Sequence, residues 1–540
     1  MKSTIKYGID AMLCRRNSLF GFGWLFHPDI KIKDVNLLLN LENGKISRLP
    51  VEYGKYREDV AKLFPNIENA KACGFVVYGA WDASKIITAN LEIKMTNGEI
   101  ITIIAPLEYL DTSSATHTTQ KKYYIYKVLF KRLTELLRQR VKPNILIEKI
   151  KRNITNLSDS TFDTGKILYD IEKYNIAETI LIIDHELGGG ANKYRNTLSK
   201  KYLEEGKIIL LLTYHLLSLQ YILEIHTKNT QKRYKLSSIE EIYKIANLIK
   251  IEKIIYNTAV SFEKPEDIPI LLTNLSKAYN IPMVININDY FVVCPSPFLL
   301  NQNGRYCNVP DINICNTCLK NNREGFITLF TAADIKLWRK RWEMCLIQAE
   351  QILCFSASSK NIIKKAYPSL SDNSFKIQPH TVKKPIKYPK IIINKALHIG
   401  VVGHINIHKG AKIIQELSNI IKKEGKTISI SIIGSIELPC DSKIVSITGP
   451  YKSNELPIIV EKIGANIFLM PSICPETFSY VTQELIDMEV PLVCFDIGAQ
   501  AEKIKNYHKG LIISYDSTPN EILEQIEQFH KKLIEQEMNR

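Results

Sequence analysis

Residues 465–484 read ANIFLMPSICPETFSYVTQE, and the architecture of the second half of the chain turns on them. Ala465–Met470 is an apolar run of strand length, and Pro471 and Pro475 bound the loop that follows. Glu476 stands in that strand-to-helix loop, with Glu484 eight residues further on. A buried strand handing over to a helix is the unit from which parallel sheets are wound.

The same unit recurs on both sides. Upstream the strand-like runs are Thr179–Asp184, Lys207–Leu212, Lys253–Asn257, Pro282–Asn288 and Gln351–Phe355, interleaved with helical patterns. Ile208–Ile225, the most apolar window, is interrupted by Thr213, Tyr214, His215, Ser218, Gln220 and Glu224. It reads as a core strand plus a buried helix rather than a membrane span. A Lys/Pro-rich break, Lys383–Lys390, precedes further runs at Leu397–Val402, Ser429–Ile433, Ile444–Ile447, Leu492–Phe495 and Gly510–Ile513. The expected class is α/β, with two Rossmann-like, doubly wound domains at residues 176–385 and 396–540 facing a cleft. Such sheets bind ligands at the carboxyl ends of their strands.

Ahead of them, short strands at Val35–Leu39, Gly74–Tyr78, Ile86–Lys94 and Ile100–Ile104, with Asn-Gly turns at Asn43 and Asn97, predict a small all-β sandwich over residues 1–112. Residues 113–175 read as a basic helical connector. Between 121 and 152 it carries eleven cationic residues, with Tyr123, Tyr124, Tyr126 and Phe130 among them, which suits either an anionic membrane surface or a solvated linker.

Composition narrows the partners without choosing one. The 540 residues are 45% hydrophobic and 24% charged, which is globular usage. A net charge of +15 fits phosphate-bearing ligands, an anionic membrane face or nucleic acid. The opening residues lack a signal-peptide pattern, and eleven scattered cysteines read as reduced thiols, so a cytoplasmic location is expected.

Several positions bear chemistry. A helical interval from Glu476 to Glu484 would rise roughly 12 Å, enough to lie along a nucleotide sugar with one carboxylate near the sugar and the other near the ribose. Carboxylates accept hydrogen bonds from vicinal hydroxyls, and N–H groups at a helix start hold phosphate. The plainer alternative is an N-terminal helix charge and a solvated helical residue. Gly188, Gly189 and Gly190 lie between a strand and a helix, as an anion loop or a flexible turn. Cys294, Cys307, Cys315 and Cys318 end in a Cys-x-x-Cys pair and can close a structural zinc site or stand as four thiols.

The 471–484 segment resembles the Glu-x7-Glu motif of the retaining glycosyltransferases of family 4, in the form seen in O-antigen and rhamnan biosynthesis, and so implies the GT-B fold. His398–Gly410 is similar to that family's Gly-Arg-Leu-x-x-x-Lys-Gly loop, with His404 where the family usually has Arg. Phe495–Glu502 resembles its later glycine loop, Thr448–Tyr451 fits the subgroup, and Gly188–Gly190 resembles the subgroup's glycine loop at the cleft.

By this resemblance Lys409 neutralises the donor diphosphate, Glu476 orients the donor sugar and Glu484 holds the ribose. Gly403, His404, Gly410, Thr477, Phe478, Ser479 and Gly498 complete the donor site. Asp289 follows Asn288, which replaces the subgroup's His, so either Asp289 or the donor phosphate takes the acceptor proton. The resemblance covers about residues 176–535. A weaker one, to an accessory β-domain of some polysaccharide transferases, covers about residues 1–110.

It implies a hexosyltransferase moving sugar from a nucleotide diphosphate donor to a glycan or lipid-linked glycan in cell-surface polysaccharide synthesis. Positive side chains and helix N-termini can offset the leaving diphosphate, so no cofactor is expected for catalysis, and no nucleic-acid partner is expected; the expected location is cytoplasmic, with the basic connector offering either a contact to the inner face of the membrane or a solvated linker. The competing readings are a non-catalytic glycan- or nucleic-acid-binding protein and a GT-B epimerase or phosphorylase.

Overall fold

The computed structural model describes residues 4–110 apart from 16, 82 and 83, residues 178–322, residues 334–538 apart from 383, 386 and 387, and positions 167, 169, 170 and 173. The basic connector at 113–175 lies outside the described residues apart from those last four positions. Two compact units emerge: residues 1–286 with 326–351, and residues 287–325 with 352–540.

The first unit opens with nine strands: β1 (Lys6–Arg15), β2 (Ser18–Phe26), β3 (Ile32–Leu41), β4 (Ile46–Pro50), β5 (Glu52–Lys55), β6 (Gly74–Ala80), β7 (Ile86–Met95), β8 (Ile100–Ile104) and β9 (Glu108–Tyr109). They form two sheets, β5-β6-β2-β1-β9 and β4-β3-β7-β8. Alternation along β3 and β7 turns Val35, Leu37, Leu39, Leu91 and Ile93 into the core between them, all fully buried.

The remainder of this unit is an α/β sheet of β10 (Thr179–Ile183), β11 (Ile208–His215), β12 (Gln220–His226), β13 (Gln231–Leu236), β14 (Ile251–Tyr256) and β15 (Met283–Asn286), ordered β13-β12-β11-β10-β14-β15. Ile208–Ile225 is therefore not a strand plus a helix but an antiparallel hairpin of β11 and β12. Both faces of β12 are buried, so its polar residues Gln220 and Glu224 lie inside the sheet's packing and the run carries no amphipathic pattern to separate strand from helix. Leu219, at φ +48°, makes the reversal. The sheet is accordingly mixed: β10, β11, β14 and β15 run parallel, while β12 and β13 form an antiparallel edge.

Sandwich and sheet share a buried seam. Tyr78 Oη donates to Ser261 O at 3.1 Å, and Ser18 Oγ to Glu263 Oε1 at 2.6 Å. Tyr214, Tyr221 and Phe262 stack edge-on beneath, with ring centroids 5.0 and 5.8 Å apart.

The second unit contains two short parallel strands, β16 (Gln351–Cys354) and β17 (Phe375–Ile377), and a six-stranded sheet. The latter comprises β18 (His398–Ile405), β19 (Ser429–Ile436), β20 (Val445–Ile447), β21 (Ile467–Met470), β22 (Leu492–Phe495) and β23 (Gly510–Ile513), in the order β20-β19-β18-β21-β22-β23 and parallel throughout. Its strands read as near-continuous Ile, Leu and Val because helices cover both faces. The order reverses between β18 and β21, the switch point at which such sheets gather ligands. Among the described residues no helix is long and apolar enough to cross a membrane.

Candidate functional site

At its carboxyl end β18 delivers the loop Asn406–Gly410. Lys409 N donates to both the carbonyl and the side-chain oxygen of Asn406, each at 3.1 Å, and this turns the chain into the helix Ala411–Glu424. Gly410 is at φ +85°, and a Cβ there would collide with the Pro471 carbonyl. The loop thus lies directly against the end of β21, and Ile473 N donating to His408 O at 3.1 Å adds a second link. One strand over, Gly403 and Gly434 pair in register at φ +122° and +133°, again with no room for a side chain on Gly434.

Glu476 sits where three strand-end loops meet. Its Oε1 accepts from Ser472 Oγ at 2.6 Å and from Lys409 Nζ at 3.3 Å. Its N–H donates to Gln500 Oε1 at 3.0 Å, and its carbonyl accepts from Ala499 N at 2.9 Å. Gln500 Nε2 reaches back to Cys474 O at 2.9 Å. Gly498, at φ +66°, makes this approach feasible, because a Cβ there would stand 2.6 Å from Glu476 N and Pro475 Cα.

The electrostatics follow from the enclosure. Burial opposes ionisation of Glu476, but the Lys409 charge and the hydroxyls of Ser472 and Ser479 outweigh it and hold the carboxyl below its ordinary range. The charge of Glu476 raises Lys409 in turn. The Glu476 side chain is only 13% exposed and the Lys409 side chain 38%, so the lysine is the more accessible member of the pair. Burial pushes the neighbouring Cys474 thiol up to about 12, leaving it protonated and inert as a nucleophile.

The remaining expected residues fall into two sets. Thr477, Phe478 and Ser479 continue the Glu476 loop: Thr477 Oγ1 donates to Asn288 O at 3.0 Å, Phe478 is buried, and Ser479 precedes the helix Tyr480–Asp487 in a left-handed conformation without a side-chain cap. That helix starts at Tyr480, so the interval from Glu476 to Glu484 is half loop and the helical rise applies only to its second part. Glu484 is half-buried near Tyr451, whose phenol is raised by burial and then by the Glu484 charge.

His404 is exposed and bonded through Nδ1 to Ser435 Oγ at 2.7 Å. The Asp289 carboxylate accepts from Phe291 N at 2.9 Å within its own turn, while the preceding residue touches Thr477. Ser472, Gln500 and Lys503 were not singled out from the sequence. Ser472 had one available signal, a hydroxyl four residues before Glu476 in a loop bounded by prolines.

In the first unit, Gly188 and Gly189 lie at φ +89° and +82°, and Gly190 follows within the helix Gly189–Glu204. Asn192 braces the turn by accepting from Gly188 N at 2.7 Å and donating to the buried Asp184 at 2.8 Å. Asp184 also pairs with Arg195 at 3.0 Å. Among the described residues no group of three or more His, Cys, Asp or Glu is placed to hold a metal ion. Cys294, Cys307, Cys315 and Cys318 are half-buried and form no disulfide. Cys315 Sγ donates to Pro310 O, and Cys318 Sγ accepts from Asn322 Nδ2, each at 3.6 Å.

Residues 396–532, about a quarter of the chain, match the family model described as Glycosyl transferases group 1. No curated protein matches the chain. Similar solved structures include Anabaena HepE in complex with UDP-glucose, at 12% identity and TM-score 0.40 over 65% of this chain and 89% of that one. Sucrose-phosphate synthase from Thermosynechococcus elongatus gives 13% identity and TM-score 0.44 over the same shares, 65% and 89%. The lipopolysaccharide outer core galactosyltransferase WaaB in its apo form gives 12% and 0.38 over 66% and 89%. The family match falls on the six-stranded sheet, and the two Rossmann-like sheets with the β-rich region ahead of them are the elements expected of a GT-B chain.

Proposed function

We propose that this chain is a retaining glycosyltransferase that moves a sugar from a nucleotide diphosphate donor to a glycan or lipid-linked glycan in cell-surface polysaccharide synthesis. One observation carries the reading. Lys409 and Glu476, from two different strand ends, meet at 3.3 Å inside the stretch that matches the glycosyl transferase model.

The chemistry needs positive charge where the diphosphate departs and a carboxylate where the sugar's hydroxyls lie. In the proposed complex Lys409 leaves Glu476 for the diphosphate, and backbone N–H groups of the glycine-bearing turns add to it as negative charge develops. Glu476, released from its partner, accepts from the sugar hydroxyls and holds the ring against the departing phosphate. Glu484 takes the ribose. The acceptor oxygen attacks the anomeric carbon from the face the diphosphate leaves, and its proton goes to the donor phosphate or to Asp289. The proposed location is the inner face of the membrane, with the basic segment 121–152 as the contact to anionic lipid.

A thermal-shift screen against a panel of nucleotide sugars, followed by transfer assays with the donor that responds, tests the reading. A donor at 100 times its Kd should stabilise the chain by about 2.7 kcal/mol, and the anomeric configuration of the product should match that of the donor. Conversion of the donor to a different nucleotide sugar without acceptor would favour the epimerase. Polymer binding with no turnover of any donor would favour the binding protein.

A further inference from the structure

Glu476 is carried by a turn that its own residues do not favour. Ser479 sits at φ +60° and ψ +82°, and a residue with a Cβ keeps such a conformation only where its surroundings over-determine it. The hydroxyl is tied locally, at 2.7 Å from Thr482 Oγ1, and also supports the Glu476 carboxylate. What fixes the backbone on either side is a cluster of four rings. The His380 imidazole stacks on Phe355 at 3.9 Å and 25°, and on Tyr480 at 4.9 Å and 11°. It meets Phe478 edge-on at 4.8 Å and 83°. The residues immediately before and after Ser479 are therefore both gripped by one imidazole.

Paired strands and hydrogen bonds stand behind that imidazole. Phe355 and His380 follow the ends of the paired strands β16 and β17. The first turn of the helix Ala357–Ala366, which follows Phe355, also bonds the donor loop, with Ser359 Oγ donating to Thr477 O at 3.1 Å. It accepts a further brace from Glu502, which takes Ala357 N at 3.2 Å and Ser358 N at 2.7 Å. From the opposite side Lys503 Nζ lies 3.4 Å from the Phe478 ring centroid and donates to Gln483 Oε1 at 2.8 Å.

We propose that His380 is a positioning residue for the donor loop, its ring packed between Phe355 and Tyr480 to lock the left-handed Ser479 turn and so fix the Glu476 carboxylate. In this role the ring acts through its stacked faces, so a flat ring should replace it and a small side chain should not. The part of this that concerns turnover rests on the function proposed above; the lock itself does not.

Hydrogen exchange of the full-length chain reads the lock directly. His380→Ala should speed exchange of amides 476–482 by about tenfold while leaving the helix Ala411–Glu424 unchanged, and His380→Phe should restore slow exchange. Phe355→Leu, which removes one stacking face and keeps the imidazole, should give the same pattern more weakly and serves if His380→Ala does not fold. In transfer assays His380→Ala should lower kcat by about tenfold with donor KM within about twofold, rescued by His380→Phe.

Unchanged exchange in His380→Ala, or exchange in His380→Phe as fast as in His380→Ala, overturns the proposal. Glu476→Gln, assayed alongside, separates the two ideas. If Glu476→Gln is inactive while His380→Ala transfers at the wild-type rate, the lock does not serve the site and the proposal falls. If Glu476→Gln is fully active, the donor-site reading falls, and the exchange data alone decide the lock.

Discussion

Gly188 and Gly189 hold φ +89° and +82° with nothing within 4 Å of the place a Cβ would occupy, whereas Gly410 and Gly498, at +85° and +66°, are pressed against the backbone of the Glu476 loop. The first loop needs glycine only for its conformation; the second needs it for conformation and for space. The contrast separates what local turn chemistry requires from what tertiary packing requires, although both appear in the sequence as glycine after a strand. The Lys409 loop and the Glu476 loop can share a ligand because Gly410 lets them touch, while the loop at Gly188 presents open backbone braced from beneath by Asn192 and Asp184.

The largest effect should therefore come from Gly410→Ala, where left-handed strain and a backbone collision add to about 3 kcal/mol or more. Denaturant unfolding should show the second unit's transition at lower denaturant; a midpoint equal to wild type would end the distinction between the two loops. Next come the charged groups the tight loop brings together. Lys409→Ala and Glu476→Gln should each lower turnover by about a hundredfold or more, whereas Glu484→Gln should chiefly weaken nucleotide binding. Near wild-type transfer by all three would dissolve the donor site.

Smaller again, Gly188→Ala should cost only about 1–2 kcal/mol, the conformational share without the collision. A loss as large as that of Gly410→Ala would mean that hidden packing exists at the first loop too.

The smallest effect is the pH dependence of the Lys409–Glu476 pair. The folded-state carboxyl of Glu476 is held below 4.5, so its contribution is present above that value and is lost as pH falls through the folded pKa. Lys409 is raised above 10.5, so its contribution is present below that value and is lost as pH rises through its folded pKa. The stability difference between wild type and Glu476→Gln should be flat from about 4.5 to 10.5 and shrink outside both ends. A difference that varies strongly near neutrality would point to another titrating partner.

Much of the second unit was legible because buried parallel strands announce themselves as short apolar runs, and loops such as Pro471–Ser479 stand out between them. Lys409, Glu476 and Gly498 lie on separate loops and were joined only by resemblance; the contact at 3.3 Å is a property of strand order, which no local pattern carries. The hairpin of β11 and β12 was misread because both strands are buried on both faces, and a short apolar run of that kind does not separate strand from helix by periodicity. Ser479 was named from the sequence as a donor-site residue, but its left-handed backbone was not foreseen, since serine has no intrinsic preference for it and the rings proposed to hold it come from residues 355 and 380. Lys503 gave no signal because its role depends on one ring, Phe478, beneath its ammonium.

The seam between the sandwich and the first sheet bears on how the chain can be dissected. Tyr78 and Ser18 roof over a patch in which Tyr214, Tyr221 and Phe262 are between 0% and 6% exposed. A truncation that begins after residue 110 would open that patch to water and present a cluster of aromatic rings to any neighbouring molecule, so it would report on stickiness and misfolding before it reported on what the sandwich does. Swapping surface residues of the sandwich while keeping Ser18 and Tyr78 leaves the roof on, and a genetic screen that tolerates substitutions there but not deletions would be reading this seam.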